Sequence, residues 1–209
     1  MKKLLLSILF VAVSLMVTAQ TQLSESQTQE VIRQLTQVAS TMQSMQCRFV
    51  QEKTSSMLAE PSVAEGTMHY AAPDRMRWEY TAPYAFALVV NGERLVKVTD
   101  GKAEVLEGNA GRMYQGMVNL IIGSASGEKL FDTTVFDIVF YDDNSFWRAD
   151  MTPKRRDMKR MFSQLVFRFD KKTNGISRVE FVSANGDITS IRFEEIKGNE
   201  AIDDAFFKE

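Results

Sequence analysis

Apolar and polar residues alternate along most of this chain, which is the pattern of strands that bury one face. In residues 75–81, Met76, Trp78 and Tyr80 alternate with charged residues, and prolines stand at positions 73 and 83. Similar alternation predicts strands over 47–53, 64–71, 75–81, 85–90, 94–99, 102–107, 135–141, 145–151, 162–169, 176–183 and 188–196. Asn-Gly and Asp-Gly pairs separate several of these ranges, as they do in tight hairpins. We therefore expect a mainly β fold with helices, in which about eleven antiparallel strands form a barrel or half-barrel.

Three segments have helical rather than strand periodicity. Residues 24–46 place apolar residues at spacings of three and four, behind a capping box formed by Ser24 and Gln27. Residues 112–123 place Met113, Met117, Leu120 and Ile121 on one helical face. Residues 153–161 open with a proline and contain five basic residues. We expect the first two helices to cover an apolar sheet face.

The N-terminus has the organisation of a secretory signal peptide. Lys2 and Lys3 precede an apolar run that is too short to span a bilayer comfortably, and small residues end at Ala19. We expect cleavage after Ala19, which leaves residues 20–209 as a single exported domain with enough chain for a real core. Without the two lysines the net charge is about −4, which argues against a nucleic-acid partner.

The residues that most enzymes and metal sites use are scarce. There is one histidine, His69, and one cysteine, Cys47, so zinc-type spacings and an internal disulfide are excluded. No phosphate-binding or dinucleotide loop occurs, and residues 123–127 place Ala125 where a nucleophile elbow needs serine. We expect His69 to be structural, Cys47 to be a small core residue, and the protein to have no catalytic residues, metal or cofactor.

Large apolar residues share one face of several predicted strands. From the pattern alone this face is either dry core or the lining of a ligand cavity. The candidate lipid-binding cavity residues are Met76, Trp78, Tyr80, Phe86, Leu88, Phe136, Ile138, Phe140, Phe167, Phe169, Phe181, Ile191 and Phe193. Methionine at the covering contacts favours a cover that repacks around varied apolar shapes, which makes residues 112–123 a candidate lid.

The basic run near residue 155 has two interpretations. It is either an ordinary solvated helix face or a docking patch for an anionic partner or membrane surface. Lys154, Arg155 and Arg156 are the candidate docking residues.

Several segments, taken in order, resemble the LolA family of periplasmic carriers of outer-membrane lipoproteins. The resemblance rests on Gly66, Pro73, Trp78 and Pro83 in the first block, and it extends over nearly all of residues 20–209. The matching segments are "GTMHYAAPDRMRWEYTAP", "CRFVQEK", "VVNGERLVKV", "MTPKRRDMKRMFSQLVFRFD" and "ANGDITSIRFEEIKGN". One departure is Ala72, where family members often have an arginine that helps to latch the lid.

The resemblance implies an unclosed barrel with helices over its open side and a cavity for lipoprotein acyl chains. It implies a monomeric periplasmic carrier that is loaded by an inner-membrane ATP-driven transporter and hands its cargo to an outer-membrane receptor. The alternatives are a carrier of another lipid or lipid-like intermediate, and a lipid-sensing domain of an envelope regulator, which would be expected to have a second domain. A hydrolase that uses acidic residues is a further alternative.

Overall fold

The computed structural model describes residues 20–107 and 130–208. The predicted signal peptide and the predicted lid, with Met113, Met117, Leu120 and Ile121, lie outside the described residues. Among the residues described, no helix has the length and apolar character that a membrane crossing requires.

Helix α1 spans Glu25–Ser40, and the predicted capping box is present at its start. The Ser24 side chain accepts from the Gln27 backbone N–H, and the Gln27 side chain accepts from the Ser24 backbone N–H. Val31, Leu35 and Ala39 form its buried stripe. The sequence pattern located the beginning of this helix correctly because the cap is a local signal.

The prediction that this helix continues to residue 46 was wrong. The chain turns at Thr41 and enters a strand at Ser44, in which Met45 is buried. Met45 lies three residues after Met42, which fits a helix, but it also alternates with Cys47 and Phe49, which fits a strand. Strand pairing on both sides of residues 45–54 decides between these two periodicities in favour of the strand.

Within residues 20–107 and 130–208, twelve strands form one antiparallel sheet. They are β1 Thr21–Gln22, β2 Ser44–Thr54, β3 Ser62–Ala71, β4 Arg75–Ala82, β5 Phe86–Asn91, β6 Arg94–Thr99, β7 Lys102–Val105, β8 Phe136–Asp143, β9 Phe146–Pro153, β10 Phe162–Asp170, β11 Ile176–Ser183 and β12 Ile188–Gly198. Each of the eleven predicted strands is present within a few residues of its expected bounds. The additional strand β1 is two residues long and carries no periodicity of its own.

The strand order is β1-β8-β9-β10-β11-β12-β2-β3-β4-β5-β6-β7, so β1 and β7 are the two edges among the described strands, and these strands do not close into a barrel. Most neighbours are joined by short hairpins, and β12 returns to pair with β2 near the middle of the sheet. Gly92, Gly101 and Gly186 have left-handed φ at three of the predicted hairpin turns, which glycine adopts without a steric penalty. The predicted unclosed, mainly β architecture is confirmed.

The sheet has two chemically different sides. We call the side that carries Phe49, Trp78 and Phe167 the apolar face, and the side that carries Arg48, Arg77 and Arg168 the charged face. Helix α1 packs on the apolar face, where Val31 and Leu35 join one cluster with the buried residues of the strands. The helix therefore supplies part of the cover that an apolar sheet face requires.

The C-terminal 3₁₀ helix Asp204–Phe207 packs on the charged face of β4 and β5. Phe207 is buried there, the Arg75 guanidinium lies 4.9 Å from its ring, and Arg75 pairs with Asp204 at 2.7 Å. This segment covers the second side of β5, so β5 is buried on both sides. Its sequence is accordingly a nearly continuous run of apolar residues.

The predicted helix over 153–161 is reduced to a single turn, α2, over Arg156–Lys159. Pro153 does not start this helix, since it ends β9 and pairs with Phe136 of β8. Lys154 and Arg155 precede the turn, so the basic residues do not form one continuous helix face.

Candidate functional site

The thirteen predicted cavity residues lie together in the fold. Side chains of directly paired residues in an antiparallel sheet project to the same side, so the register places them. Trp78 pairs with Leu88, Phe167 with Ala149 and Phe193 with Phe49. All thirteen belong to one apolar cluster: Tyr80, Phe86 and Ile138 are partly buried, and the other ten are buried. The structure thus brings together residues from strands that are distant in sequence.

An aromatic group occupies the middle of the apolar face. The Phe49 ring lies 4.2 Å from the Trp78 ring and 5.2 Å from the Tyr80 ring, measured between centroids. Phe193 meets Trp78 edge-on at 6.1 Å. Phe49 is opposite Gly66 in β3, and a Cβ at Gly66 would lie 2.6 Å from the Phe49 ring. The missing side chain at Gly66 therefore leaves the space that the Phe49 ring fills.

Several residues of this face were not among the thirteen candidates. Phe49, Met68, Tyr70 and Met151 are fully or almost fully buried in the same cluster. The alternation of Met68 with Tyr70 and of Cys47 with Phe49 is a signal that would have found most of them. Their neighbours on the charged face include Arg48 and His69, so the pattern of two faces was readable from the sequence.

A cleft lies between helix α1 and the sheet. Leu35, Met42 and Met45 line it on one side, and Phe131, Phe169 and Ile176 line it on the other. Its volume is about 40 Å³, which is space for a few water molecules at most. An acyl chain would enter this cleft only if α1 or the methionine side chains moved apart.

Three polar groups lie on or beside the apolar face. The indole N–H of Trp78 is buried and has no hydrogen-bond partner among the described residues. The Tyr80 hydroxyl donates to Gln51 Oε1 at 2.9 Å. Lys97 is directly opposite Leu88, and its ammonium lies 5.1 Å from the centroid of the Phe86 ring. The face therefore has one buried hydrogen-bond donor, the Trp78 indole, near its centre, and the Tyr80 hydroxyl and the Lys97 ammonium beside it.

Cys47 is buried on the apolar face opposite Met68. Loss of solvation raises the pKa of its thiol to about 12, although a hydrogen bond from the Met68 backbone opposes this shift. The thiolate is the reactive form of cysteine, so a thiol with this raised pKa is unreactive at neutral pH. The expectation of a small core residue is confirmed.

His69 lies on the charged face, opposite Arg77. Its ring stacks on Phe206 of the C-terminal 3₁₀ helix at 4.3 Å, and its Nδ1 is buried without a partner among the residues described. Burial lowers the pKa of His69; Glu79 raises it and Arg77 lowers it further. This histidine packs the C-terminal segment against the sheet, as expected for a structural residue.

Two of the three predicted docking residues already have acidic partners. Lys154 lies 3.0 Å from Asp137, and Arg155 lies 2.7 Å from Asp157. Arg156 is exposed and makes no hydrogen bond or ion pair with the described residues. The free positive charge of this segment is therefore smaller than the sequence suggests.

The acidic pairs have structural roles in the described residues. Asp142 pairs with Lys171 and Asp143 with Arg168, while Asp203 caps the C-terminal 3₁₀ helix. Residues 20–107 and 130–208 contain no group of three or more side chains arranged to hold a metal ion.

Comparison with known proteins identifies a family match over most of the chain. The family model described as "Outer membrane lipoprotein carrier protein LolA" matches residues 40–209. An outer-membrane lipoprotein carrier protein of Methylobacillus flagellatus is 26% identical over 165 residues, which cover 78% of this chain and 77% of that protein.

Two solved structures have a similar fold at low sequence identity. An uncharacterized conserved protein from Thermus thermophilus superimposes with a TM-score of 0.54 at 10% identity, covering 88% of this chain and 94% of that chain. The structure of the Pseudomonas aeruginosa MucA/MucB complex gives a TM-score of 0.51 at 13% identity. The superposition covers 86% of this chain and 60% of the matched chain in that complex. At such identities the likeness shows the fold alone.

Proposed function

Because this chain belongs to the LolA family of outer membrane lipoprotein carrier proteins, we propose that it shields lipoprotein acyl chains while they cross the periplasm. The family supports a lipoprotein carrier role in general. In the proposed cycle an inner-membrane ATP-driven transporter loads the carrier, and the carrier hands its cargo to a receptor of the outer membrane. The observation that carries the proposal is the unclosed sheet, whose apolar face gathers thirteen large side chains into one cluster.

An apolar face suits the energetics of transfer. Burying one methylene is worth about 0.8 kcal/mol, so an acyl chain of about fifteen methylenes gains roughly 12 kcal/mol on leaving water. A bilayer offers a similar gain per methylene, so release into a membrane costs little. Loading from a membrane needs work from outside, which is consistent with an ATP-driven donor. The carrier itself needs no catalytic group, as in the non-enzymatic carriers of its family.

The buried indole N–H of Trp78 favours the binding of a ligand that has a hydrogen-bond acceptor. An unpaired buried donor costs about 1–3 kcal/mol, and nothing in the described structure offsets this cost. An acyl chain carries a carbonyl oxygen at its ester or amide end, which accepts from such a donor. We therefore expect Trp78 to contact the carbonyl end of a bound acyl chain.

Uptake requires a change of shape. The cleft under α1 is too small for an acyl chain, and the predicted lid over 112–123 is the second element that we propose to move. Ala72 donates its backbone N–H to the Gln43 carbonyl at 2.8 Å, and its side chain has no donor to hold a lid. Arg75 and Arg77 are on the charged face and are paired with Asp204 and Glu79, so we do not expect either to replace the arginine latch.

A weaker latch favours ligand uptake. Closing a cover over the empty carrier subtracts from net binding, so a carrier without the arginine latch should bind apolar ligands with higher apparent affinity. We propose that this protein exchanges cargo more readily than relatives with the arginine.

Two alternatives share the fold. A carrier of another lipid would use the same apolar face, and Lys97 near Phe86 would then favour a cargo with an anionic headgroup. A lipid-sensing domain of an envelope regulator is the second alternative.

Site-specific photo-crosslinking in living cells tests the proposal. Ile138 projects into the apolar cluster, and the adjacent Val139 projects to the opposite side, so the two positions form a matched pair. We expect a photoreactive residue at 138 to trap lipoproteins and the same residue at 139 to trap none. Adducts with lipids that carry no protein would favour the alternative cargo. The absence of any adduct at 138 would refute a carrier function for this face.

A further inference from the structure

Four arginines form a row across the charged face. Arg148 of β9 is directly opposite Arg168 of β10, Arg168 is opposite Arg178 of β11, and Arg178 is opposite Arg192 of β12. Paired residues project to the same side of the sheet, so four guanidinium groups share the surface behind the apolar face. The register of three successive strand pairs brings this row together.

Such a row is unfavourable unless anions compensate it, because like charges directly opposite each other destabilise a sheet. Three of the four arginines have close carboxylates. Arg148 donates twice to Asp150, at 2.6 and 2.8 Å. Arg168 donates to Glu180 at 2.6 Å, and Arg192 donates to Glu194 at 2.8 Å.

Arg178 is the exception. Its nearest carboxylate is that of Glu180, at 3.8 Å, and this group already accepts from Arg168. The Arg178 guanidinium makes no hydrogen bond to any described residue, and 38% of its side chain is exposed. A guanidinium has five N–H donors in a rigid fork, so this residue retains its full capacity to bind an oxyanion.

Three of the four arginines line a groove of about 530 Å³, which is within the range of small-ligand sites. Arg168, Arg178 and Arg192 contribute three positive charges to its lining, and Asp143 contributes the one negative charge among the described lining residues. Ser145 adds a hydroxyl group to the lining. Because Glu180 and Glu194 accept hydrogen bonds from Arg168 and Arg192, Arg178 supplies the positive charge of this groove that has no hydrogen-bonded carboxylate among the described residues.

We propose that this groove binds a phosphate group, with Arg178 as its principal donor. Neighbouring strands are about 4.8 Å apart, so Arg168 and Arg192 flank Arg178 within about 10 Å along the row. A tetrahedral phosphate presents oxygens to two guanidiniums at once, whereas a carboxylate matches a single fork. A phospholipid headgroup and free inorganic phosphate both supply this chemistry. The arginine side chains project from the side of the sheet opposite the proposed cargo face, and Phe193, one of the candidate cavity residues, also lines the groove.

Binding of three probes to the mature protein tests the inference. The probes are inorganic phosphate, a short-chain phosphatidylglycerol below its micelle concentration, and vesicles of phosphatidylglycerol compared with phosphatidylcholine. Calorimetry measures the soluble probes, and flotation measures the vesicles. Arg178→Gln removes the donor, Arg178→Lys keeps the charge without the fork, and Arg33→Gln on helix α1 is the charge-matched control. Arg178 is partly exposed, so we expect all three variants to fold, and thermal unfolding checks this.

We expect Arg178→Gln to weaken binding of phosphate-bearing probes at least tenfold, Arg178→Lys to weaken it less, and Arg33→Gln to leave it unchanged. Binding should weaken as salt rises. Binding of phosphatidylglycerol and its vesicles that depends on Arg178 identifies a headgroup site, and binding of inorganic phosphate alone identifies a free-phosphate site. The inference fails if no probe binds, if Arg33→Gln is as damaging as Arg178→Gln, or if only an acidic peptide binds. Trp78→Phe should leave phosphate binding intact, so failure of the cargo proposal is distinguishable from failure of this one.

Discussion

Replacement of Trp78 by phenylalanine tests whether the buried indole N–H recognises cargo. The substitution keeps an aromatic ring against Phe49, which lies 4.2 Å away in the native protein, and removes the one polar atom of the side chain. We expect little change in the free energy of unfolding. Removal of a buried donor that has no partner among the described residues is stabilising, and the loss of part of the ring area is destabilising.

The effect on binding should depend on the ligand. A buried donor that gains an acceptor recovers about 1–3 kcal/mol, which corresponds to roughly a 5- to 150-fold change in affinity. An alkane has no acceptor and gains none of this. We therefore expect the native protein to prefer a long-chain methyl ester over the alkane of equal length, and Trp78→Phe to lose that preference.

The assay compares the two ligands in the native protein and in two variants. Trp147→Phe is the matched control, because Trp147 lies on the same face opposite Phe169 and its substitution is chemically identical. The chain has two tryptophans, so Trp147→Phe also leaves Trp78 as the sole tryptophan for fluorescence titration. Calorimetry measures binding to Trp78→Phe.

Two results would refute the reasoning. If Trp78→Phe weakens the ester and the alkane equally, the residue acts by packing and not by hydrogen bonding. If Trp78 fluorescence does not respond to saturating ligand, then Trp78 belongs to dry core and the cavity must lie elsewhere.

Three further predictions concern the fold and the docking segment. Gly66→Ala should destabilise the protein by about 1–3 kcal/mol in urea denaturation because its Cβ would meet the backbone oxygen of Glu79 in β4 as well as the Phe49 ring; an unchanged midpoint would show that β3 and β4 can separate there. The lowered pKa of His69 means that the unfolded state binds more protons below the ordinary histidine pKa of about 6.5, so stability should fall as pH drops from about 7.5 to about 5.5. His69→Gln should flatten this dependence in denaturation at several pH values, and an unaltered slope would assign it to other groups. Arg156→Glu should reduce salt-sensitive release of lipoprotein from spheroplasts more than Arg155→Glu, because Arg155 already pairs with an aspartate; equal or absent effects would favour a solvated turn.

The strands and their faces were predictable from the sequence because alternation is a local property of a half-buried strand. Met76, Trp78 and Tyr80 were assigned to one face by spacing alone, and the register confirms that assignment. The hairpin turns at Gly92 and Gly101 were also predictable from local sequence, because glycine adopts left-handed φ without a steric penalty.

The end of helix α1 and the reduction of the helix over 153–161 to one turn were not predictable in this way. Met45 satisfies both a helical and a strand periodicity, and pairing with β3 and β12 decides between them. Pro153 has a helix-start signal, but its position opposite Phe136 makes it the last residue of β9. In both cases contacts with distant strands outweigh local preference.

The sequence by itself determined which side chains are apolar, which strands alternate and where the capping box starts the first helix. Only the tertiary structure decided that Arg148, Arg168, Arg178 and Arg192 stand side by side, with Arg178 lacking a close carboxylate among the described residues. The reason is that periodicity constrains each strand separately, whereas register depends on the packing of all strands together. A shift by one residue in any strand would have moved its arginine to the apolar face.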